Sequence, residues 1–429
     1  MTSIVRRGRS KGNPRSLGLC ALACAGMLAL VGASSAQAAS PWPPPFSATG
    51  TSTPTIGDGP SSVAVGDFSG NGPHDLAVIL GGDESVFLLL NDGHGHFTSK
   101  PVGGTGSLPS AIVAGNFGGV GPGKDIAEVN ALSNDLTVFR REPTSGGVAY
   151  IPTSYPTGSF PRSMAAGDLT GDGLTDIAVG NDGDGSVTLF LRDASDTGFT
   201  SKTITGLGDP DDETGPVSVA IGHLQGPRSG WGRGRKEDLA VLIAGGGPEG
   251  ELELFLSHPH DSGYTIKTFD VPADADSVAI GDLGGSGQGS DLAVGISGPA
   301  GSQGVELFLH DRNGPTGYTT ETLLNADPYD SDDTNVAIGD LGGSGRPGVA
   351  MTSSPDDLFE GDVSVFVRDS TRGPFKLTTL PLPGNDADPS DIAIGDLSGN
   401  GKPDLVTTDE FTNDLSLFTN TTPGWFGLP

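Results

Sequence analysis

One motif, repeated at near-regular spacing, limits this chain more than any other feature. Its clearest copy is Gly167-Asp168-Leu169-Thr170-Gly171-Asp172-Gly173-Leu174-Thr175-Asp176-Ile177-Ala178-Val179. A hydrophobic run enters it, an Asp/Gly-rich loop turns the chain, and an alternating aliphatic run leaves it. The first position of the loop recurs at Asp67, Asn116, Asp168, His223, Asp282, Asp340 and Asp396, spaced by 49, 52, 55, 59, 58 and 56 residues. A period of about fifty residues holding several short strands suits propeller blades better than solenoid turns. The flanks, such as Val63-Ala64-Val65 and Ile392-Ala393-Ile394, are β-branched with a period of two, as strands require. Gly (70) and Pro (33) are abundant enough among the 429 residues to approach a disordered composition, but the regular period assigns them to repeated turns instead.

Each unit reads as four strands. In the first these are Ser62–Gly66, Leu76–Leu80, Ser85–Leu90 and a weaker one near Phe97–Val102. Large and small residues alternate: Val63 and Val65 point one way, Ala64 and Gly66 the other. Sheets stacked face to face need apolar residues on both faces, with small meeting large. The last unit lacks a fourth strand, whereas Phe46-Ser47-Ala48-Thr49-Gly50-Thr51 precedes the first unit and resembles the fourth-strand segment Phe199-Thr200-Ser201-Lys202-Thr203. The expectation is that Phe46 to Ile56 completes the seventh blade, closing the ring and removing its open edges.

The loop also carries a chemical expectation. Asp168, Thr170, Asp172 and Asp176 place oxygen side chains at positions one, three, five and nine, Gly173 permits a sharp turn at six, and Leu174 offers its carbonyl at seven. A hard cation such as Ca²⁺ takes six to eight oxygens in a loose shell, and the spacing resembles the first nine positions of an EF-hand loop. The repeated phrase resembles the FG-GAP or VCBS repeat family, the β-propeller repeats of integrin α heads, over nearly the whole chain after the leader. That resemblance implies an all-β, seven-bladed propeller of four-stranded blades. It says little about activity, because the family includes adhesins, lectins and enzyme-attached modules.

The loops are unequal. Asp67, Ser69, Asn71 and Asp75 keep the pattern, as do Asp396, Ser398, Asn400 and Asp404. With the third loop they make about three candidate Ca²⁺ sites, weakened by Ser or Thr at position three. The second loop has Asn116, Gly118 and Val120 at positions one, three and five; the fourth starts at His223 and carries an insertion; in the fifth Asp291 comes one residue late after Asp282; the sixth, from Asp340, ends at Gly348. The alternative reading of every copy is a plain Asp-Gly or Asn-Gly turn. The insertion Arg228–Lys236, with Trp231, is the one basic cluster. It reads as a solvated loop in preference to a contact site for an anionic sugar or acidic partner.

Met1 to Ala38 reads as an export signal: a basic start, an apolar run from Leu17 to Val31, and Ala36-Gln37-Ala38 for cleavage. Residues 39–429 then form a single propeller domain. Cys20 and Cys24, the only cysteines, leave with the signal, so the mature chain has no disulfide and metal is a plausible substitute staple. The leader holds five of the 23 Lys and Arg and none of the 53 Asp and Glu, leaving 18 against 53, formally −35. Such acidity argues against nucleic acid and anionic membrane surfaces and suits a protein released into a calcium-containing exterior. The paired histidines, His94 with His96 and His258 with His260, lack a placed third ligand and read as loop residues. No G-x-S-x-G, H-E-x-x-H or P-loop motif appears. The expected function is a secreted, monomeric, calcium-stabilised, non-catalytic module engaging an extracellular protein or glycan, with adhesion or lectin-like recognition. The alternative is a secreted polysaccharide lyase or hydrolase with its site at the central axis.

Overall fold

A computed structural model describes residues 3–5, 46–47, 51–52, 56–104, 106–145, 147–193, 198–208, 214–225, 235–243, 249–258, 263–284, 289–299, 301–311, 313–314, 316–325, 331–342, 347–355, 361–368, 373–383 and 388–422. The chain is a seven-bladed β-propeller of antiparallel sheets. The first blade runs outward through Pro60–Gly66, Asp75–Leu80, Ser85–Asn91 and Phe97–Gly104. Each expected strand is present, extended by one or two residues. The innermost strands of the next blades are Pro109–Gly115, Pro161–Gly167, Pro216–Gly222, Ala275–Gly281, Val336–Gly339 and Pro389–Gly395. Each contacts the innermost strand of the next blade, and the seventh contacts the first, so the ring is closed.

Closure uses the segment expected from the sequence. Thr51–Ser52 pairs antiparallel with Asp414–Phe418 as outermost strand of the seventh blade, Phe46 bridges Asn420, and the Ser47 N–H donates to the Thr419 carbonyl at 2.9 Å. Phe46 is fully buried in the core between blades six and seven. Ser3–Val5 adds a parallel strand outside Phe199–Thr205 in blade three; the rest of the expected leader lies outside the described residues.

The core is not one body but seven, each lying between adjacent blades. The second strand is buried along its whole length in six blades, which explains its unbroken Asp-Leu-Ala-Val type of sequence. Small meets large as expected. A Cβ added to Gly281 would lie 2.3 Å from Ile338 Cγ2, and one added to Gly395 would lie 2.5 Å from Val65 Cγ1, each on the neighbouring blade. Six innermost strands start with a register shift just after their first residue. The sixth blade differs: Ser331–Asp333 and Val336–Gly339 pair separately with Gly348–Pro355. Among the described residues no helix is long and apolar enough to cross a membrane.

Candidate functional sites at the two ends of the propeller

The innermost strands run between two functional regions. Their starts surround an axial cavity, and their ends lead into the Asp/Gly corners. Seven residues of strand separate the two regions by roughly 20 Å.

At the corners, position nine is a latch. Asp75 Oδ2 accepts the Phe68 and Ser69 N–H groups at 2.9 and 2.8 Å, while Oδ1 accepts that of Asn91 at the end of the third strand, at 2.8 Å. Asp404 repeats this with Leu397, Ser398 and Asn420. Asp176 takes the N–H groups of Thr170 and Arg192. The corners whose other ligand positions are lost do the same: Asp125 accepts from Phe117, Gly119 and Arg141, Asp238 from Leu224, Gln225 and Ser257, and Asp291 from Leu283 and His310. All six carboxylates are buried. A carboxylate accepting two or three backbone N–H bonds ties the corner to the third strand irrespective of metal. The late position of Asp291 and the insertion before Asp238 leave this bond pattern intact. In the sixth blade Gly348 provides no such side chain.

Positions one, three and five also cap the loop. Asp168 Oδ1 accepts Gly171 and Asp172 N–H at 2.6 and 3.1 Å, and Oδ2 accepts Gly173 N–H at 2.8 Å. Asp67 and Asp396 cap their corners similarly. At position three, Ser69 Oγ lies 3.4 Å from Asp67 Oδ1 and Thr170 Oγ1 lies 3.5 Å from Asp168 Oδ1, so oxygens of positions one and three converge. At position five, Asp172 and Asn400 accept the N–H two residues on, from Leu174 and Lys402, and the Asn71 amide reaches the Asn91 carbonyl at 3.4 Å. Among the described residues no group of three or more His, Cys, Asp or Glu is drawn together tightly enough to be a metal cluster by itself. Two observations nevertheless fit a cation. Burial first, then repulsion from Asp172 and Asp168, raise the Asp176 carboxyl to about 6. In the seventh corner Ser398 Oγ is buried without a partner. An acidic, oxygen-lined loop carrying uncompensated charge is the donor set a divalent cation would relieve.

The corners also join blades. The Asn91 amide reaches the Leu397 carbonyl at 2.7 Å, and the Asn420 amide reaches that of Leu341 at 3.2 Å. In the second blade Arg141, buried at the equivalent position, donates to the carbonyls of Phe68, Ser69 and Val120. Arg141 thus supplies a built-in cation between the first corner and the second, which lacks oxygen side chains at positions three and five. The sequence held no spacing signal for it.

The other end was not read from the sequence. A cavity of ≈ 650 Å³ lies at the starts of the innermost strands and takes side chains from every blade. Ser61, Ser110, Arg162, Ser218, Asp276, Asn335 and Asp391 line it, one from each blade in turn. Several of these knit the ring. Ser62 Oγ and Val63 N–H donate to Asp391 across the closure at 2.7 and 2.9 Å; Ser110 Oγ donates to the Pro161 carbonyl at 2.8 Å; the Asn335 amide donates to the Ser390 carbonyl at 2.6 Å. Arg162 lies 3.8 Å from Asp182 and is half exposed. Ser61 Oγ and Ser163 Oγ, also in the lining, are buried without partners. The only hint of this site in the sequence is a Pro followed within two residues by Ser or Asp at the start of most units.

His96 pairs with Asp92 in an exposed turn, as expected of a loop residue. Of the basic insertion only Arg235 and Lys236 are described, and residues 285–288 and 343–346 of the fifth and sixth corners lie outside the described residues.

Comparison with known proteins follows the same lines. The FG-GAP repeat family model matches residues 160–190, the third blade from its axial rim to its third strand. No curated protein matches the chain. Among solved structures, the chain is similar to a candidate 6-phosphogluconolactonase from Bacteroides uniformis at 14% identity, covering 83% of this chain and 90% of that one with a TM-score of 0.53. It is also similar to the Dos1 propeller at 11% identity, covering 86% and 95%, with a TM-score of 0.46. The first likeness concerns the fold alone. The chain is thus a seven-bladed β-propeller whose third blade, over residues 160–190, matches the FG-GAP repeat.

Proposed function

We propose that this is an exported recognition propeller that engages an extracellular protein or carbohydrate at the face where the axial cavity opens. The observation that carries the reading is the cavity itself, lined by all seven blades with hydroxyl, amide, carboxylate and guanidinium side chains among apolar ones. A concave site with a few convergent polar groups is the usual form of a ligand pocket, and a rigid ring presenting variable side chains is a recognition scaffold.

Ca²⁺ is part of the proposal. Asp168, Thr170, Asp172, Asp176 and the Leu174 carbonyl would hold one ion in the third corner. Asp67, Ser69, Asn71 and Asp75, and Asp396, Ser398, Asn400 and Asp404, would hold the others. Bound there, the ion would stabilise the fold and take no part in chemistry. The test is titration calorimetry of the purified mature protein against glycans and candidate proteins, with and without EDTA. Saturable binding supports the reading, and no binding to either class overturns it.

A second reading, cleavage of a polysaccharide at the axis, draws on Arg162, Asp276, Asp391 and Glu410 lining one cavity. A reducing-end assay on the same glycans separates the two, and the recognition reading expects no new ends.

A further inference from the structure

We infer that the axial cavity is a site for a neutral carbohydrate, seated off-centre over blades one to four with Phe160 as its stacking surface; this rests on the recognition reading above. The cavity is lopsided. Blades one to four line it with successive residues, Ser61–Val63, Leu108–Ile112, Phe160–Met164 and Val217–Val219, whereas blades five and six contribute only Asp276 and Asn335. The ligand space therefore lies on the side where Leu108 and Phe160 stand at the rim.

These two residues are placed against their own conformational interest. Leu108 and Phe160 have φ of 55° and 52°, in the left-handed region. For a bulky side chain that conformation is strained, and the equivalent rim position in the first blade is Gly59, with φ of 62°. The rim geometry is enforced from outside: the Ala131 and Asp182 N–H groups donate to the Leu108 and Phe160 carbonyls at 2.7 and 3.1 Å. The Phe160 N–H is held at 2.7 Å by Asn134 Oδ1 of the preceding blade. Burial does not offset the strain, since Leu108 is 44% and Phe160 40% exposed. Strain retained at a cavity mouth without a packing return marks a position kept for a ligand.

The chemistry around Phe160 selects the class. An exposed aromatic ring offers a flat apolar face, which the C–H face of a pyranose matches while its hydroxyls project sideways. In the same lining are Ser61 and Ser163, whose buried hydroxyls have no protein partner, together with the half-exposed Arg162. Ile112, Met164 and Val219, all buried, supply apolar lining. Asp276, Asp391 and Glu410 outnumber Arg162 in the lining, so a uronic acid would meet net repulsion and a neutral sugar would not.

The test is calorimetry of the mature protein against neutral tetrasaccharides (cellotetraose, laminaritetraose, mannotetraose, galactotetraose) and tetragalacturonate. The variants are Phe160→Asn, which keeps a residue tolerant of positive φ, and Ser163→Ala, with melting curves alongside. The expected result is binding of a neutral tetrasaccharide weakened at least tenfold by Phe160→Asn and severalfold by Ser163→Ala, with melting temperatures unchanged. Neutral binding that survives Phe160→Asn at full affinity would overturn the site and leave the recognition reading standing. Preference for tetragalacturonate would overturn the assignment to neutral sugar. No binding of any tetrasaccharide at millimolar concentration would overturn the inference, leaving the recognition reading to stand or fall on a protein ligand.

Discussion

The two ends of the innermost strands differ in how much they repeat. At the corner end the same atoms do the same work in six blades: a buried Asp carboxylate joins two loop N–H groups, or one, to the third strand. At the axial end the residue five before the Gly that closes each innermost strand is Ser61, Ser110, Arg162, Val217, Asp276, Thr334 or Ser390 as the ring is followed round. Repetition marks what every blade needs in order to fold. Divergence around one axis marks what the ring does only once. The corner motif is thus foremost a folding device, and the proposed recognition site lies on the opposite face.

Removing the latch should have the largest effect. Asp125→Ala, in the corner with the poorest metal ligands, strips the acceptor from buried N–H groups of Phe117 and Arg141. Each orphaned group costs about 1–3 kcal/mol, so a loss of roughly 3–5 kcal/mol is expected, equal to that of Asp176→Ala measured in EDTA. Urea midpoints with unchanged slopes measure it. A loss confined to Asp176→Ala would show that the ninth Asp serves metal and not the fold.

A buried carboxyl away from both ends comes next. Glu128 stands where blades one and three have Val78 and Val179, and both its oxygens lack a partner, because the neighbouring Asn130 amide donates to Asp135 at 2.7 Å. Burial raises its carboxyl to about 8, with Asp135 adding to the shift and Asn130 opposing it. A raised carboxyl favours the protonated folded state. Its contribution is therefore complete below about 4.5, the ordinary value, and is lost as pH rises through about 8. Glu128→Gln should flatten that slope, and Glu128→Val should exceed the wild type above pH 8 by on the order of 2–4 kcal/mol. Denaturant titrations at pH 4.5, 6.5 and 8.5 test this. Parallel wild-type and Glu128→Gln profiles would refute it.

The calcium effect should be smaller than that of the latch. An ion at ten times its dissociation constant stabilises by about 1.4 kcal/mol. EDTA should lower the melting temperature of the wild type by a few degrees and that of an Asp168→Asn, Asp172→Asn variant by less, since the first and seventh corners keep their ligands. Equal shifts in both proteins would place any cation away from the third corner.

What could be read from the chain follows the same division. The blade count, the four strands and the closure through Phe46 and Thr51 were legible because each is a periodic feature, written once per blade or conspicuously missing from one. Position two of the corner, Phe68 or Leu169 for example, is an apolar residue buried between blades. The latch was not legible, since an Asp at position nine looks the same whether it faces a cation or two amides. The axial cavity was illegible because its lining comes from seven segments about fifty residues apart, which no local spacing connects. Glu128 likewise looked like an ordinary strand residue until the neighbouring blade was seen to cover it.

The smallest expected change is at the rim, and it is the most discriminating. Phe160→Asn removes an exposed ring from a strained backbone position and substitutes a residue that tolerates left-handed φ. Relief of strain offsets the modest burial lost, so stability should stay within about 0.5 kcal/mol of wild type. A corner substitution of similar size costs several times more, because the corner's groups are buried and bonded while the rim's ring is not. If Phe160→Asn instead destabilised the protein as strongly as Asp125→Ala, the ring would be part of the fold, and the contrast between a folding end and a recognition end would fail.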